Sequence, residues 1–209
     1  MTPLQLGSVI PQSSVVNPCF VEQFVLGLVP YTVISGDGTI FSIVGTPYGS
    51  GMRIASQSSG VVAKLSRFAS SIQARTYSFK FSIEATANDD AGIIFVQSAG
   101  STIMQFNPRR EGAFDALRRP NLILQGESIY LGAGGEITTS GAWFQLDLTI
   151  IAGAGNTTVV VTRLSDTVVV ISQNMVSAHT TSLMDSLLFL ADIPTSTTPD
   201  TYADIHICP

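Results

Sequence analysis

Between Thr76 and Glu84 the chain alternates apolar and polar residues without a break. Tyr77, Phe79, Phe81 and Ile83 fall on one side; Ser78, Lys80, Ser82 and Glu84 fall on the other. A period of two belongs to an extended chain with one face in a core and one in solvent, and a helix would scatter the same side chains around its axis. Phe144, Leu146, Leu148 and Ile150 repeat the pattern against Gln145, Asp147 and Thr149. Further runs rich in Val, Ile, Thr, Phe and Tyr lie at 20–29, 39–44, 60–67, 92–97, 102–106, 121–124, 157–164, 167–172, 186–190 and 201–207. Turn formers separate them, as in Ser35-Gly36-Asp37-Gly38, Asn88-Asp89-Asp90, Gly132-Ala133-Gly134-Gly135 and Gly153-Ala154-Gly155-Asn156. Many short strands at near-regular spacing predict an all-β, antiparallel, two-sheet sandwich or barrel rather than βαβ units. Only 110–119 and 176–187 leave room for a turn or two of helix.

The 209 residues are 45% hydrophobic, enough for one sizeable core and too apolar for disorder throughout. Charged residues are only 12%, about half the usual quarter. The polar surface is therefore largely Ser and Thr, and partner chains are expected to cover much of it. The net charge of −5 argues against binding a phosphate backbone, so no nucleic-acid partner is expected. No apolar stretch reaches the length of a spanning helix, and no membrane insertion is expected. Residues 1–10 lack the charge and apolar run of an export signal, which predicts an intracellular start.

Residues 1–18 differ from the rest. Pro3, Pro11 and Pro18 interrupt any ladder, while Leu4, Leu6, Val9, Ile10, Val15 and Val16 stand without a single charge. The expectation is an extended N-terminal arm, with Leu4, Leu6, Val9 and Ile10 as interface residues, followed by one domain over 19–209. A tail packed on its own domain would account for the same composition. The two cysteines, Cys19 and Cys208, stand at opposite ends and form no Cys-x-x-Cys pair. With no export signal, two buried free thiols are the expectation, although a bridge would form if the terminal strands paired.

The order of several short motifs resembles the concanavalin A-like lectin/glucanase jelly roll and its laminin-G-like relatives. The motifs are Val21-Glu22-Gln23-Phe24 at the opening, Gly49-Ser50-Gly51-Met52-Arg53-Ile54, and Trp143-Phe144-Gln145-Leu146-Asp147-Leu148. A hairpin turning at Ser165-Asp166 follows, and Tyr202-Ala203-Asp204-Ile205-His206-Ile207 closes the chain. The resemblance covers about 19–208 and implies a jelly-roll sandwich. It also places the first and last strands side by side, consistent with Cys19 and Cys208 meeting.

Glucanases of that family carry two glutamates flanking an aspartate on one strand. Glu22, Glu84, Glu111, Glu127 and Glu136 have no such neighbours, so no catalytic residues and no enzyme activity are expected. His206, between Ile205 and Ile207, reads as a solvent-facing strand residue, and His179 lies in a Ser/Thr-rich loop. Asp37, Asn88-Asp89-Asp90 and the loop bounded by Asp192 and Asp200 have oxygen ligands for Ca²⁺, but turn chemistry explains them more simply. No metal and no cofactor is expected. Arg109, Arg110, Arg118 and Arg119 are half of the eight arginines; with Glu111 and Asp115 among them they suit a protein interface. For a glycan, Tyr48, Tyr130 and Trp143 are the candidate stacking residues, with Tyr31 behind them, although core packing accounts for the same aromatics.

The expected function is a non-enzymatic structural subunit of a virus particle, of the bacteriophage head-decoration, collar or tail-associated kind. It would be a homo-oligomer touching other virion proteins, located in the virion after assembly in the host cytoplasm. The alternative is a carbohydrate-binding module recognising a host-surface glycan. Both rest on analogy through the fold.

Overall fold

The computed structural model describes residues 19–36, 38–55, 63–83, 92–108, 115–117, 119–137, 140–151, 157–191 and 200–209, with backbone only for 63–71. These hold β1 (Phe20–Glu22), β2 (Thr32–Ser35), β3 (Phe41–Thr46), β4 (Gly49–Ile54), β5 (Ala63–Ala74), β6 (Thr76–Ile83), β7 (Ile93–Ser98) and β8 (Ser101–Asn107). Then follow β9 (Asn121–Leu124), β10 (Glu127–Tyr130), β11 (Trp143–Thr149), β12 (Thr157–Arg163), β13 (Val168–Met175), β14 (Ser182–Ala191) and β15 (Asp200–Cys208). The order in one sheet is β13-β12-β11-β6-β15-β4-β3, with β1 also paired to β15; the other runs β10-β9-β8-β7-β14-β5-β2. The expected antiparallel two-sheet jelly roll is what forms.

The alternating residues do what their period requires. Tyr77, Phe79, Phe81, Phe144, Leu146 and Leu148 are each no more than 1% exposed and point into the space between the sheets. Their rings join one another within the sheet and others from the opposite sheet. Phe81 lies 5.0 Å from Phe106 and 5.6 Å from Phe144, Phe79 lies 5.3 Å from Phe106, and Tyr202 lies 5.9 Å from Phe189. Tilted and offset contacts of this kind contribute about 0.5–1.5 kcal/mol each beyond the area buried. Tyr202 satisfies its buried hydroxyl by donating to the Gly92 carbonyl at 2.6 Å.

Three expectations need correction. The thiols are not free: Cys19 and Cys208 form a disulfide across a sequence separation of 189, because β1 pairs with β15 in a register that sets Phe20 opposite Ile207. The expected strand over 20–29 stops at Glu22. The Glu22 carboxylate, 3% exposed, accepts the Phe24 N–H at 2.6 Å and the Tyr31 hydroxyl at 2.9 Å. Phe24 thereby adopts a φ of 56°, and the chain turns inward instead of extending. Finally, 176–187 holds no helix. A bend at 176–177 leads into β14, where the wide inner face of β14 between β5 and β7 outweighs any local helical preference. The expected hairpin at Ser165-Asp166 is present, with Asp166 bonded to the Arg163 guanidinium at 2.6 Å and Thr167 at a φ of 57°.

Candidate functional site

The same alternation that buries the rings of β6 and β11 turns their other residues outward. Lys80 and Ser82 on β6, Trp143 and Gln145 on β11, Thr201 on β15 and Arg53 on β4 share the outer face of the β1-containing sheet. The register places Trp143 opposite Ser82, Ser82 opposite Thr201 and Thr201 opposite Arg53, a row across four strands. The β3–β4 hairpin stands beside this row. Thr46 fixes its turn by donating through Oγ1 to the Gly49 carbonyl at 2.8 Å and accepting the Tyr48 N–H at 3.1 Å. Gly51 lets β4 lie close, since a Cβ there would come within 2.8 Å of the Tyr202 carbonyl oxygen.

Between hairpin and sheet lies an open groove of about 340 Å³, with Thr46 and Pro47 on one side, Trp143 on the other, and Arg53, Ser82 and Thr201 beneath. Tyr48 and Trp143 meet edge to face with centroids 5.4 Å apart. The Lys80 ammonium sits 5.2 Å from the Tyr48 ring centroid and pairs with Asp204. Asp204 occupies a β-bulge in β15, with a φ of 49° and a register shift between Ala203 and His206. The bulge aims its carboxylate along the outer face, where it also accepts from His206 Nε2 at 2.8 Å and Gln23 Nε2 at 3.4 Å. Burial would raise this carboxyl, but the hydrogen bonds from Lys80, His206 and Gln23 outweigh it and hold the group at about 2.

Two of the three candidate stacking aromatics, Tyr48 and Trp143, are therefore brought together. Tyr130 is on β10 in the other sheet, with the Arg119 guanidinium 4.9 Å from its ring centroid. Arg119 is itself held by Asp115 at 3.1 and 3.2 Å, and the Asp115 carboxylate accepts its N–H at 2.7 Å. Tyr31 is half-buried, stacked on Phe24 at 6.3 Å within the core. His206 is on the outer face as expected, whereas His179 is buried, with Nδ1 2.9 Å from Thr157 Oγ1 and Nε2 3.3 Å from Glu127. The sequence reading missed Lys80, Ser82, Thr201 and Asp204 as companions of the aromatics. Leu4, Leu6, Val9, Ile10, Asp37, Glu84, Asn88-Asp89-Asp90, Arg109, Arg110, Glu111, Arg118 and Asp192 lie outside the described residues. Among the described residues no three His, Cys, Asp or Glu side chains stand together as a metal site. Asp200 is buried at the start of β15, where its carboxylate accepts the Gly92 N–H.

No protein-family model matches this chain, and no curated protein matches it. Solved structures do. Lectin II from Ulex europaeus superposes with a TM-score of 0.61 at 11% identity, over 92% of this chain and 98% of the lectin. Basic winged bean lectin with Tn-antigen gives 0.60 at 9% identity, over 91% and 97%. The exoplasmic/lumenal domain of VIP36 in its Ca²⁺/Man3GlcNAc-bound form gives 0.56 at 8% identity, over 85% and 83%. At such identities the likeness is one of architecture, and the chain has the concanavalin A-like jelly-roll fold of these lectins over nearly its whole length.

Proposed function

We propose that the chain is a non-enzymatic carbohydrate-binding protein that takes a neutral glycan into the groove beside Trp143. One observation carries this reading: Trp143, braced edge to face by Tyr48, walls a groove whose floor is made of hydroxyl and guanidinium groups. A pyranose has an apolar face of C–H groups and a rim of hydroxyls, so it needs a ring to stack on and short polar side chains to bond its edge. Ser82 and Thr201 both donate and accept, which suits hydroxyl ligands. The volume of about 340 Å³ suits one or two sugar rings. Lectins of the same fold, crystallised with Tn-antigen and with Man3GlcNAc, lend support by analogy.

The acids on this face support binding over hydrolysis. A glycosidase needs one carboxyl with a raised pKa to act as acid. Among the described residues Asp204 is held at about 2, the opposite of what such an acid needs. The particle-subunit reading gains no specific observation, so the glycan reading takes its place as the principal one. A disulfide persists in oxidising surroundings, which favours display outside a reducing cytosol, on a virion or on a cell.

Glycan-array screening followed by calorimetry tests the proposal. Tyr48→Ala and Trp143→Ala are each expected to weaken the best ligand at least ten-fold with the fold retained by circular dichroism. Unchanged affinity in both variants, or no glycan retained by the wild-type chain, would overturn it.

A further inference from the structure

We infer that Lys80, pinned by the bulged Asp204, is a positioning residue of the groove: its ammonium holds the Tyr48 ring, and through that ring Trp143, where a sugar would stack. The link to glycan binding rests on the function proposed above; the placing of Trp143 does not.

Tyr48 stands in the turn of the β3–β4 hairpin, whose backbone Thr46 fixes. Its ring still needs a support on the sheet. The register supplies one in the row next to the groove floor, where Gly51 lies opposite Ala203, Ala203 opposite Lys80 and Lys80 opposite Gln145. Between the hairpin and Lys80 that row carries nothing longer than a methyl group. The Lys80 ammonium accordingly lies 5.2 Å from the Tyr48 ring centroid, within reach of a cation–π contact. Tyr48 in turn meets Trp143 edge to face at 5.4 Å.

A lysine does not keep such a place unaided, because its four-carbon stem leaves the ammonium many positions. Asp204 removes that freedom. Its carboxylate bonds the ammonium, and is itself held from two other directions by His206 Nε2 at 2.8 Å and Gln23 Nε2 at 3.4 Å. The Lys80 and Asp204 side chains are 19% and 21% exposed, so the pair is partly shielded from solvent.

The bulge points independently to a role in binding. Alternation turns Tyr202 inward and Ala203 outward, so a regular strand would send the next carboxylate into the core. Instead the register shifts between Ala203 and His206, and Asp204 takes a φ of 49°. A non-glycine residue in that conformation is strained, and such residues and bulges gather beside functional sites, where they re-aim a side chain. Stability alone does not account for the strain, since a partly exposed ion pair contributes little. What the bulge provides is a carboxylate on the outer face, in reach of the lysine that faces Tyr48.

Trp143 is the only tryptophan in the chain, so its emission and its quenching by acrylamide report on this corner of the intact protein. Lys80→Met keeps the stem and removes the charge. It and Asp204→Asn are expected to shift the emission and raise the quenching, with far-ultraviolet circular dichroism unchanged. Lys80→Arg should restore the wild-type values, because a guanidinium can both bond Asp204 and lie over the Tyr48 ring. On an array of neutral glycans, Lys80→Met should lower the retained signal about two- to five-fold, the factor that an exposed cation–π contact contributes. Wild-type emission and quenching in Lys80→Met would overturn the inference. So would a Lys80→Arg variant no better than Lys80→Met, since the charge over the ring would then not be what places Trp143. Altered emission with an undiminished array signal would overturn the link to binding. A wild type that retains no glycan, beside a Lys80→Met variant with altered emission, would remove the glycan reading and leave the positioning role standing.

Discussion

Replacing both cysteines with serine removes a cross-link that ties the two ends of the domain together. The bridge spans a separation of 189 residues, so nearly the whole chain is a closed loop in the oxidised unfolded state. The chain-entropy relation for a loop of this size gives about 5 kcal/mol of stabilisation at 25 °C. That is comparable to the net stability of a whole domain, about 5–15 kcal/mol. In the native state the two residues are already neighbours through the β1–β15 ladder, where Phe20, Val21 and Glu22 pair with Ile207, His206 and Ile205. The native domain of Cys19→Ser/Cys208→Ser should therefore keep its fold, and nearly all of the loss should arise in the unfolded chain. Guanidinium denaturation of the oxidised wild type, the wild type with a phosphine reductant, and the double variant measures this directly. Expected are a loss of about 3–5 kcal/mol, a fall in thermal midpoint of roughly 6–20 °C, and a larger denaturant slope because the open chain exposes more surface. A loss below about 1 kcal/mol with an unchanged slope would refute the argument, since it would mean that the unfolded chain keeps its ends together without the bond.

Two other perturbations probe the core and the outer face. Phe81→Ala removes a fully buried ring that touches Phe79, Phe106 and Phe144, and urea denaturation should show a cost of about 3–5 kcal/mol. Burial would raise the Asp204 carboxyl, but the hydrogen bonds from Lys80, His206 and Gln23 hold it at about 2 in the folded chain, below its ordinary 3.8. Its lowered pKa means that the ionised form stabilises the fold above the unfolded pKa, and that this contribution is lost as pH falls from about 4 through 2. Solvent screening keeps the effect small. Thermal midpoints of wild type and Asp204→Asn should differ at pH 5 and converge toward pH 2; a gap independent of pH would exclude the carboxylate as its source.

The legible part of this fold was the part with a period. β6 and β11 are half-buried strands, and Phe79, Phe81, Phe144 and Leu146 could be assigned to the core because alternate residues must part company at a sheet. β2 and β10 were not legible. Each is a four-residue strand at a sheet edge; β2 has every residue exposed, and Glu127 to Tyr130 has none fully buried. A strand without a buried face leaves no hydrophobic alternation to read. The turn at Phe24 was hidden for a different reason: a buried carboxylate two residues earlier redirects the backbone, and side-chain-to-backbone bonds of that kind leave no trace in an apolar run.

The site was half legible. Tyr48 and Trp143 were singled out as candidate stacking residues, but 95 residues separate them, and only the strand order β11-β6-β15-β4-β3, with the β3–β4 turn reaching to Trp143, brings their rings to 5.4 Å. Asp204 did carry a signal that went unread. Tyr202, Ile205 and Ile207 are all buried, yet a regular strand cannot place residues three apart and then two apart on one face. One residue must be extra, and the extra residue lies between Tyr202 and Ile205. An acid in that interval, on an otherwise alternating strand, implies a bulge that turns its carboxylate out of the ladder. The structure puts Asp204 there, with the strained backbone that a bulge requires and with Lys80, His206 and Gln23 gathered around it. A break in period was thus as informative as the period itself. It located the charged neighbour of the aromatic groove, where the clean alternation of β6 and β11 located the core.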